Sequence, residues 1–413
     1  MANHPFLKSI KPVNLLSFGP NTEEIELRPL NILIGANGSG KSNLLEVLRL
    51  LSWLPEKEPW TVVLQTGGVD EWIWKGEKGH NARSQIGAHV AWNKPRSDKF
   101  RNEPCVYEYK IGLDKFQTSF RISSESVRMA KRADDYHLQN CEFIRSGATG
   151  ELHLRQGISA GSGTVFDLNQ DQSILYQLSS RPLAEVGIGT RLPEILEIRD
   201  FFDDFDFHQD WEFGADLTPR GPIPAGQAVE RLEENAYNLA QMIANLKDNH
   251  RTEFDQISNE MQRFYDPFKA LDVRIIGTHL QVAIQEAGGF STPAYRLSDG
   301  TLRWLAVLAI LLNPNPAPVT CIDEPELGLH PDIIPTLADL LRDASSRTQL
   351  IVTTHSQTLV ECFSDDPESV CVCEKVEGAT EIRRLNSERL ASWLGDYSLG
   401  QLWAKGEIGG NRW

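Results

Sequence analysis

The alternation of apolar and polar positions divides the chain into three stretches. The first forty residues read as short strands joined by turns. "PVNLLSF" and "EIEL" are apolar segments flanking the turn-forming "GPNTE". "LNILIG" is a continuous apolar run, as expected of a strand buried on both faces. In "KSNLLEVLRLLSWL" the period changes, and Leu44, Leu45, Val47, Leu48, Leu51 and Leu54 form a helical stripe. From about Ile86 to Leu154, "IGAHVAW", "VYEYKIGL", "KFQTSFRI" and "CEFIRS" predict an antiparallel sheet, with "GATGE" and "GISAGSG" as turns or loops. From about Ser173 to Leu271 the period is helical. It is clearest in "LPEILEIRDFFDDF" and "NAYNLAQMIANLKDNHRTEFDQISNEMQRFY", with the loop "DLTPRGPIPAGQA" between them. The last third alternates: a hairpin from "VRIIG" and "LQVAIQE", a helix from Asp299, a strand at "VTCID", a helix from Asp332 and a strand at "QLIVTTH". Two more strands, "SVCVCEKV" and "TEIRRL", precede short terminal helices. The pattern predicts an α/β chain in three parts: an N-terminal lobe over 1–165, a helical insertion over 166–275 and a second half of the core over 276–413.

Candidate chemistry falls at four places. Gly35-Ala36-Asn37-Gly38-Ser39-Gly40-Lys41-Ser42 fits G-x-x-x-x-G-K-[ST], between a strand and a helix. Glycines let backbone N–H groups converge on phosphate oxygens, and the helix N-terminus adds its positive end. Asn37, Gly38, Ser39, Gly40, Lys41, Ser42 and Asn43 are therefore candidate nucleotide contacts. Lys41 would reach the β- and γ-phosphates, and Ser42 would place its hydroxyl on Mg²⁺. In "VTCIDEPELGLHP" an apolar strand ends in Asp323-Glu324. Asp323 is a candidate for the metal or its water, and Glu324 for polarising the attacking water. Ser298 reads as an N-cap, and Gly300 leaves room for a ligand at the same helix start, which suggests a second phosphate clamp. His355, at the end of "QLIVTTHS", is placed to contact a γ-phosphate and orient water. The catalytic candidates are thus Glu324, Lys41 and His355, with Ser42 and Asp323 for the metal.

The order of P-loop, long insertion, L-S-D-G, acidic strand end and histidine strand end resembles the ABC-type ATPase family over the whole chain. Lys41 and Ser42 match its Walker A residues, and Leu297-Ser298-Asp299-Gly300-Thr301 its signature motif. Asp323 and Glu324 match Walker B, and His355 the switch histidine. "IGANGSGKSNLLE", "LSDGT", "DEPELGLHP", "LPEILEIRDFFDDFDFH" and "LGQLWAKGEIGGNRW" are similar to stand-alone predicted ATPases related to the OLD, RecF and SMC groups. Several of those act in anti-phage defence or DNA repair, often beside a separately encoded nuclease. The resemblance implies an ABC-type ATPase head, a P-loop core with an antiparallel β-subdomain, plus a helical insertion. It implies ATP and Mg²⁺ as cofactors and a head-to-tail homodimer, or a higher oligomer, closing on two ATPs. Hydrolysis would then switch a partner effector such as a nuclease, with nucleic acid as a further partner and no membrane.

The signature departs from many transporters at Asp299 and Thr301, and the exit "ELGLHP" leaves His330 as the candidate for the usual cross-dimer aspartate contact. Gln85, Gln172 and Gln177 compete for the Q-loop position. Three other readings stand beside the switch. They are a RecF-like clamp acting directly on DNA, a transporter's ATP subunit disfavoured by the long insertion, and a scaffold holding ATP with incidental hydrolysis. The tail, with Trp403 and Trp413 among glycines, is either a docking segment or packed back on the core.

Bulk properties sharpen this picture. The 413 residues suffice for two or three domains. No apolar run approaches the roughly 18 residues of a membrane span, and the N-terminus lacks a signal-peptide core, so a cytoplasmic location is expected. A net charge of −16 argues against coating nucleic acid unaided. The best local basic stretch, Arg128, Lys131 and Arg132, reads first as a solvated helix face. Of the six cysteines none forms a C-x-x-C pair, and Cys371 and Cys373 alternate on one face of a strand. Buried free thiols in a reducing compartment are the expectation.

Overall fold

The computed structural model describes residues 6–76, 83–92, 105–131, 139–156, 159–160, 164–180, 193–209, 211, 213–214, 218–226 and 229–410. Arg132 and Trp413 lie outside them, as do the side chains of Cys105, Cys141 and Lys131.

The core is a six-stranded sheet in the spatial order Phe205–His208, Val319–Asp323, Gln349–Thr353, Leu30–Ile34, Val370–Val376, Ala379–Arg384. The first five strands are parallel and the last is antiparallel. Leu30–Ile34 and Gln349–Thr353 are buried at every position, because helices and a second sheet cover both faces. Successive side chains go to opposite faces, so each core strand feeds two apolar clusters. Leu33, Cys321, Ile351, Cys371 and Cys373 pack toward the antiparallel sheet. Ile32, Ile34, Ile322, Val352 and Val372 pack toward the helix Asp299–Leu311, whose residues from Thr301 to Leu311 are all buried. Cys321, Cys371 and Cys373 are buried free thiols, as expected.

The second sheet is antiparallel and runs from Thr164–Asp167 through the strands of residues 84–156 to Phe6–Val13 and Ile25–Glu26. A third, smaller sheet contains the expected hairpin, Phe268–Ile276 with His279–Glu286. The helix after the P-loop spans Lys41–Trp53 and buries the anticipated stripe. Among the described residues no helix is long and apolar enough to cross a membrane.

Several sequence expectations are corrected. The first strand is Phe6–Val13 and not "PVNLLSF", because Asn14 and Leu16 turn into the left-handed region, at φ 51 and 52, and reverse the chain. Pro12 is tolerated there because the neighbour Ile25–Glu26 pairs only with Ser9 and Ile10, so no ladder donor is missing on that side. "KFQTSFRI" is two strands: Gln117 at φ 56 turns Cys105–Phe116 into Ser119–Lys131. That second strand carries Arg128, so the basic stretch is a sheet strand and not a helix face, and Arg128 pairs with Glu108 at 3.3 Å. The helix of residues 235–265 breaks at His250 into Leu239–Asn249 and Arg251–Phe264. Phe205–His208, read within a helical segment, is a parallel core strand beside Val319–Asp323.

Candidate functional site

The parallel strands deliver their C-terminal ends to one edge, where ligands bind in open α/β sheets. Leu33 and Asp323 both register against Thr353, so the P-loop, Glu324 and His355 leave the sheet together. The loop after Ile34 needs glycine for two reasons. Gly40 has φ 103, and a Cβ there would lie 2.1 Å from Thr380 Oγ1. A Cβ on Gly35 would lie 2.3 Å from the Cys373 carbonyl.

Gly40 leaves the helix Lys41–Trp53 without a side-chain cap, so the N–H groups of Ser42 and Asn43 are open to an anion. Lys41 is buried and its Nζ donates to the carbonyls of Gly35 at 2.8 Å and Ala36 at 3.4 Å. Burial lowers its pKa, against the pull of Glu324 and Asp323. Ser39 Oγ is buried without a hydrogen-bond partner among the described residues. A lysine closing on its own loop, an unmatched hydroxyl and a bare helix N-terminus fit an anionic phosphate chain. Asn37, Gly38 and Ser42 are exposed at the same loop. Ser42 and Asp323 supply hard oxygen donors, the kind Mg²⁺ takes alongside phosphate oxygens.

Across the edge, Thr353 ties the acidic strand end, the candidate Walker B segment, together. Its hydroxyl donates to Asp323 and accepts from the Glu324 amide at 3.2 Å, while its carbonyl accepts from the same amide at 3.1 Å. Glu324 is held at φ 46, an uncommon conformation for a bulky residue that marks a constrained position. Its Oε1 lies 3.5 Å from His355 Nε2. Both side chains are about one-third exposed, at 31% and 36%. Burial lowers the His355 pKa, with Lys41 adding to the effect and Glu324 and Asp323 opposing it.

Ser298 and Gly300 are elsewhere. Ser298 Oγ caps the helix Asp299–Leu311 by accepting from the Thr301 amide at 3.1 Å, as its sequence position implies. Among the described residues neither it nor Gly300 hydrogen-bonds the P-loop. A Cβ on Gly300 would lie 2.6 Å from the Gly328 carbonyl, so this turn packs against the Walker B exit. Tyr295 and Leu327, on the two sides of that contact, are each 55% exposed.

Residues 30–104 and 166–361 match the family described as "AAA domain, putative AbiEii toxin, Type IV TA system". The chain belongs to this family. No curated protein matches it. Among solved structures, this AAA-family chain is similar to an Smc head bound to the C-winged helix domain of ScpA. The identity is 13% and the TM-score 0.53, over 93% of this chain and 99% of that one. It is also similar to the Smc head domain with an extended coiled coil, bound to the C-terminal domain of ScpA, from Pyrococcus furiosus. There the identity is 13% and the TM-score 0.50, over 95% and 99%. The fold is therefore that of an ABC-type ATPase head, and the family match identifies an AAA domain on it, of the kind that binds ATP.

Four side chains of this AAA-family site escaped the sequence reading. Thr353 is one. Arg220 is another: it is buried, ion-paired with Asp299, and donates to the carbonyls of Leu297 at 2.6 Å and Ala294 at 3.2 Å, which fixes the turn before Ser298. Glu326 and Arg303 complete the set. Only Glu326 had a signal, as the second glutamate of "DEPE". Of the Q-loop candidates, Gln177 spends its amide on Asn169 and Gln172, and Gln172 donates to the Lys57 carbonyl. His330 caps the turn Pro331–Ile333. In the tail, Trp403 is buried and Gly410 donates to Glu374 at 2.9 Å, so this segment packs on the core.

Proposed function

We propose that the protein is an ATP-driven switch in which two chains close head to tail on two ATPs and hydrolysis releases them. The observation that carries this is the division of the site. Lys41, Asp323, Glu324 and His355 meet at one sheet edge, while the Ser298–Gly300 turn faces outward with exposed Tyr295 and Leu327 beside it. A second copy can bring that turn to the first copy's phosphates, and ATP then contacts both chains. Loss of the γ-phosphate removes the contacts that favour closure, which is a population shift by differential binding.

Within each chain, Lys41 and the open N–H groups at Ser42 and Asn43 bind the phosphates. Ser42 and Asp323 would hold Mg²⁺, which would supply positive charge against the phosphates. Glu324 accepts the proton of the attacking water, and His355, whose Nε2 lies 3.5 Å from the Glu324 carboxylate, orients that water. The effector is a separate protein, such as a nuclease. The family description, a putative toxin of a type IV toxin system, is compatible with a switch that controls such an effector, and the setting we infer is anti-phage defence.

Glu324→Gln tests the scheme. It should bind ATP, turn over at least about a hundredfold more slowly, and accumulate as a dimer in light scattering with ATP but not ADP. Turnover at the wild-type rate would remove Glu324 from the base role, and a monomer in every nucleotide state would refute the closing pair.

A further inference from the structure

Two side chains of opposite charge beside the candidate site, buried Arg303 and partly buried Glu326, each keep one buried polar atom without a hydrogen-bond partner among the described residues: Arg303 Nη1 and Glu326 Oε2. Arg303 lies three residues after Gly300 on the helix Asp299–Leu311, so it shares Gly300's side of that helix. That side meets the Walker B exit, since Gly300 abuts the Gly328 carbonyl. The guanidinium rests over the rings of Trp211, at 5.4 Å, and Phe213, at 5.9 Å, with Nη2 donating to the Trp211 carbonyl at 3.2 Å. Burial lowers its pKa, and Glu324, Glu326 and Asp299 act in the opposite direction. Glu326 uses its other oxygen, Oε1, to accept from the Thr354 hydroxyl and from the His355 amide at 3.2 Å. Its carboxylate therefore sets where His355 leaves its strand.

An unmatched buried donor and an unmatched buried acceptor are each costly, and these two would satisfy each other. In the structure they are not within ion-pair distance. A shift of the helix Asp299–Leu311 along the exit loop, which Gly300 already touches, could bring them together. Among the described residues, the donors from elsewhere in the chain to Glu326 are Thr354 and His355, so a new bond from Arg303 would connect the helix Asp299–Leu311 to that segment.

We propose that Arg303 and Glu326 pair when ATP closes the site, and that this pair relays engagement of the Ser298–Gly300 turn to His355 and Glu324. They are positioning residues, and the relay rests on the two-chain reading above. In the open state the helix and the exit loop are uncoupled at this point. In the closed state the ion pair locks the backbone of His355, the residue that faces Glu324. The relay is a physical two-state element, biased from the signature side and read at the catalytic side.

The experiment compares Arg303→Gln, Arg303→Lys, Glu326→Gln and the exchanged pair R303E/E326R in steady-state ATP hydrolysis, with Lys41→Ala as a reference. Arg303→Gln and Glu326→Gln should lower kcat by about tenfold or more, with KM for ATP unchanged within about twofold and ATP-dependent dimer still formed. Arg303→Lys, which keeps the charge, should stay within about threefold of the wild-type kcat, and the exchanged pair should recover most of the loss. If the exchanged pair fails to fold, the contrast between Lys and Gln at position 303 decides the matter. Wild-type kcat in both glutamine variants, with Lys41→Ala inactive, would overturn the relay and leave the switch standing. Hydrolysis that survives Lys41→Ala would instead overturn the nucleotide site itself.

Discussion

Replacing Gly300 by alanine separates helix stability from signature geometry. The residue lies in the first turn of the helix Asp299–Leu311 and is not in the left-handed region, so alanine meets no backbone penalty. On helix propensity alone the change stabilises by about 1 kcal/mol. The added Cβ, however, would lie 2.6 Å from the Gly328 carbonyl, where ordinary contact begins at 3.4 Å. The neighbour is backbone and cannot rotate away, so turn and exit loop must part by roughly 0.8 Å, an overpacking that costs about 1–3 kcal/mol. The net effect is a destabilisation of about 0–2 kcal/mol, a fall in Tm of a few degrees at most. Turnover is far more sensitive, because displacements near 1 Å in positioning groups cost up to about a hundredfold. Thermal melting and ATP hydrolysis measured on the same preparation should therefore show a nearly unchanged fold with activity down by about ten- to a hundredfold. A raised Tm together with wild-type turnover would refute the argument, since it would mean that the turn relaxes without consequence.

Two further outcomes concern stability. Arg145 and Glu125 are fully buried, with Arg145 donating to the carbonyls of Asn169, Gln172 and Gly147 and Glu125 accepting from Tyr109 and the Ile174 amide. Arg145→Ala strands the carboxylate and should cost about 3–5 kcal/mol in urea unfolding, and a loss under about 1 kcal/mol would contradict the network. Burial, with Asp204 adding to it and Arg231 opposing, raises the Asp206 pKa to about 6 from 3.8. The folded state therefore holds that proton more tightly: its contribution is fully present below about pH 4 and is lost as pH rises through 6, a penalty of up to about 3 kcal/mol at neutral pH. Asp206→Asn should raise Tm at pH 7.5 and do nothing near pH 4; equal effects at both would remove Asp206 as the cause.

What was legible in the sequence is what is local. The phosphate loop declares itself because glycine, lysine and serine must stand at fixed offsets between a strand and a helix, and both neighbours carry their own periodicity. The core strands Leu30–Ile34 and Val319–Asp323 are legible because burial on both faces demands continuous apolar runs. Phe205–His208 was not legible, since four residues with one aspartate continue the helical pattern before them, and only pairing with distant Val319–Asp323 makes them a strand. Arg128 shows the same override: its charge pattern suits a helix, but register with Glu108 across the sheet fixes it in a strand. Arg220 is recognisable only once Asp299 is beside it, 79 positions along the chain.

The residues missed at the site share a property that bears on mechanism. Thr353, Arg220, Arg303 and Glu326 all hydrogen-bond an element other than their own. Thr353 joins two strand ends, Arg220 fixes the turn before Ser298, and Glu326 pins the His355 backbone. The groups named by the motifs sit at loop ends, where few apolar contacts constrain them. Their geometry is therefore set by these crosslinks, and in the proposed two-chain scheme a closing partner that moves the Ser298–Gly300 turn would act through them. Rigid strands buried on both faces cannot yield, so the movement is confined to the exit loop between Glu324 and Gly328 and to the helix that abuts it. On that scheme, a contact as small as Gly300 on Gly328 is expected to affect turnover more than the fold.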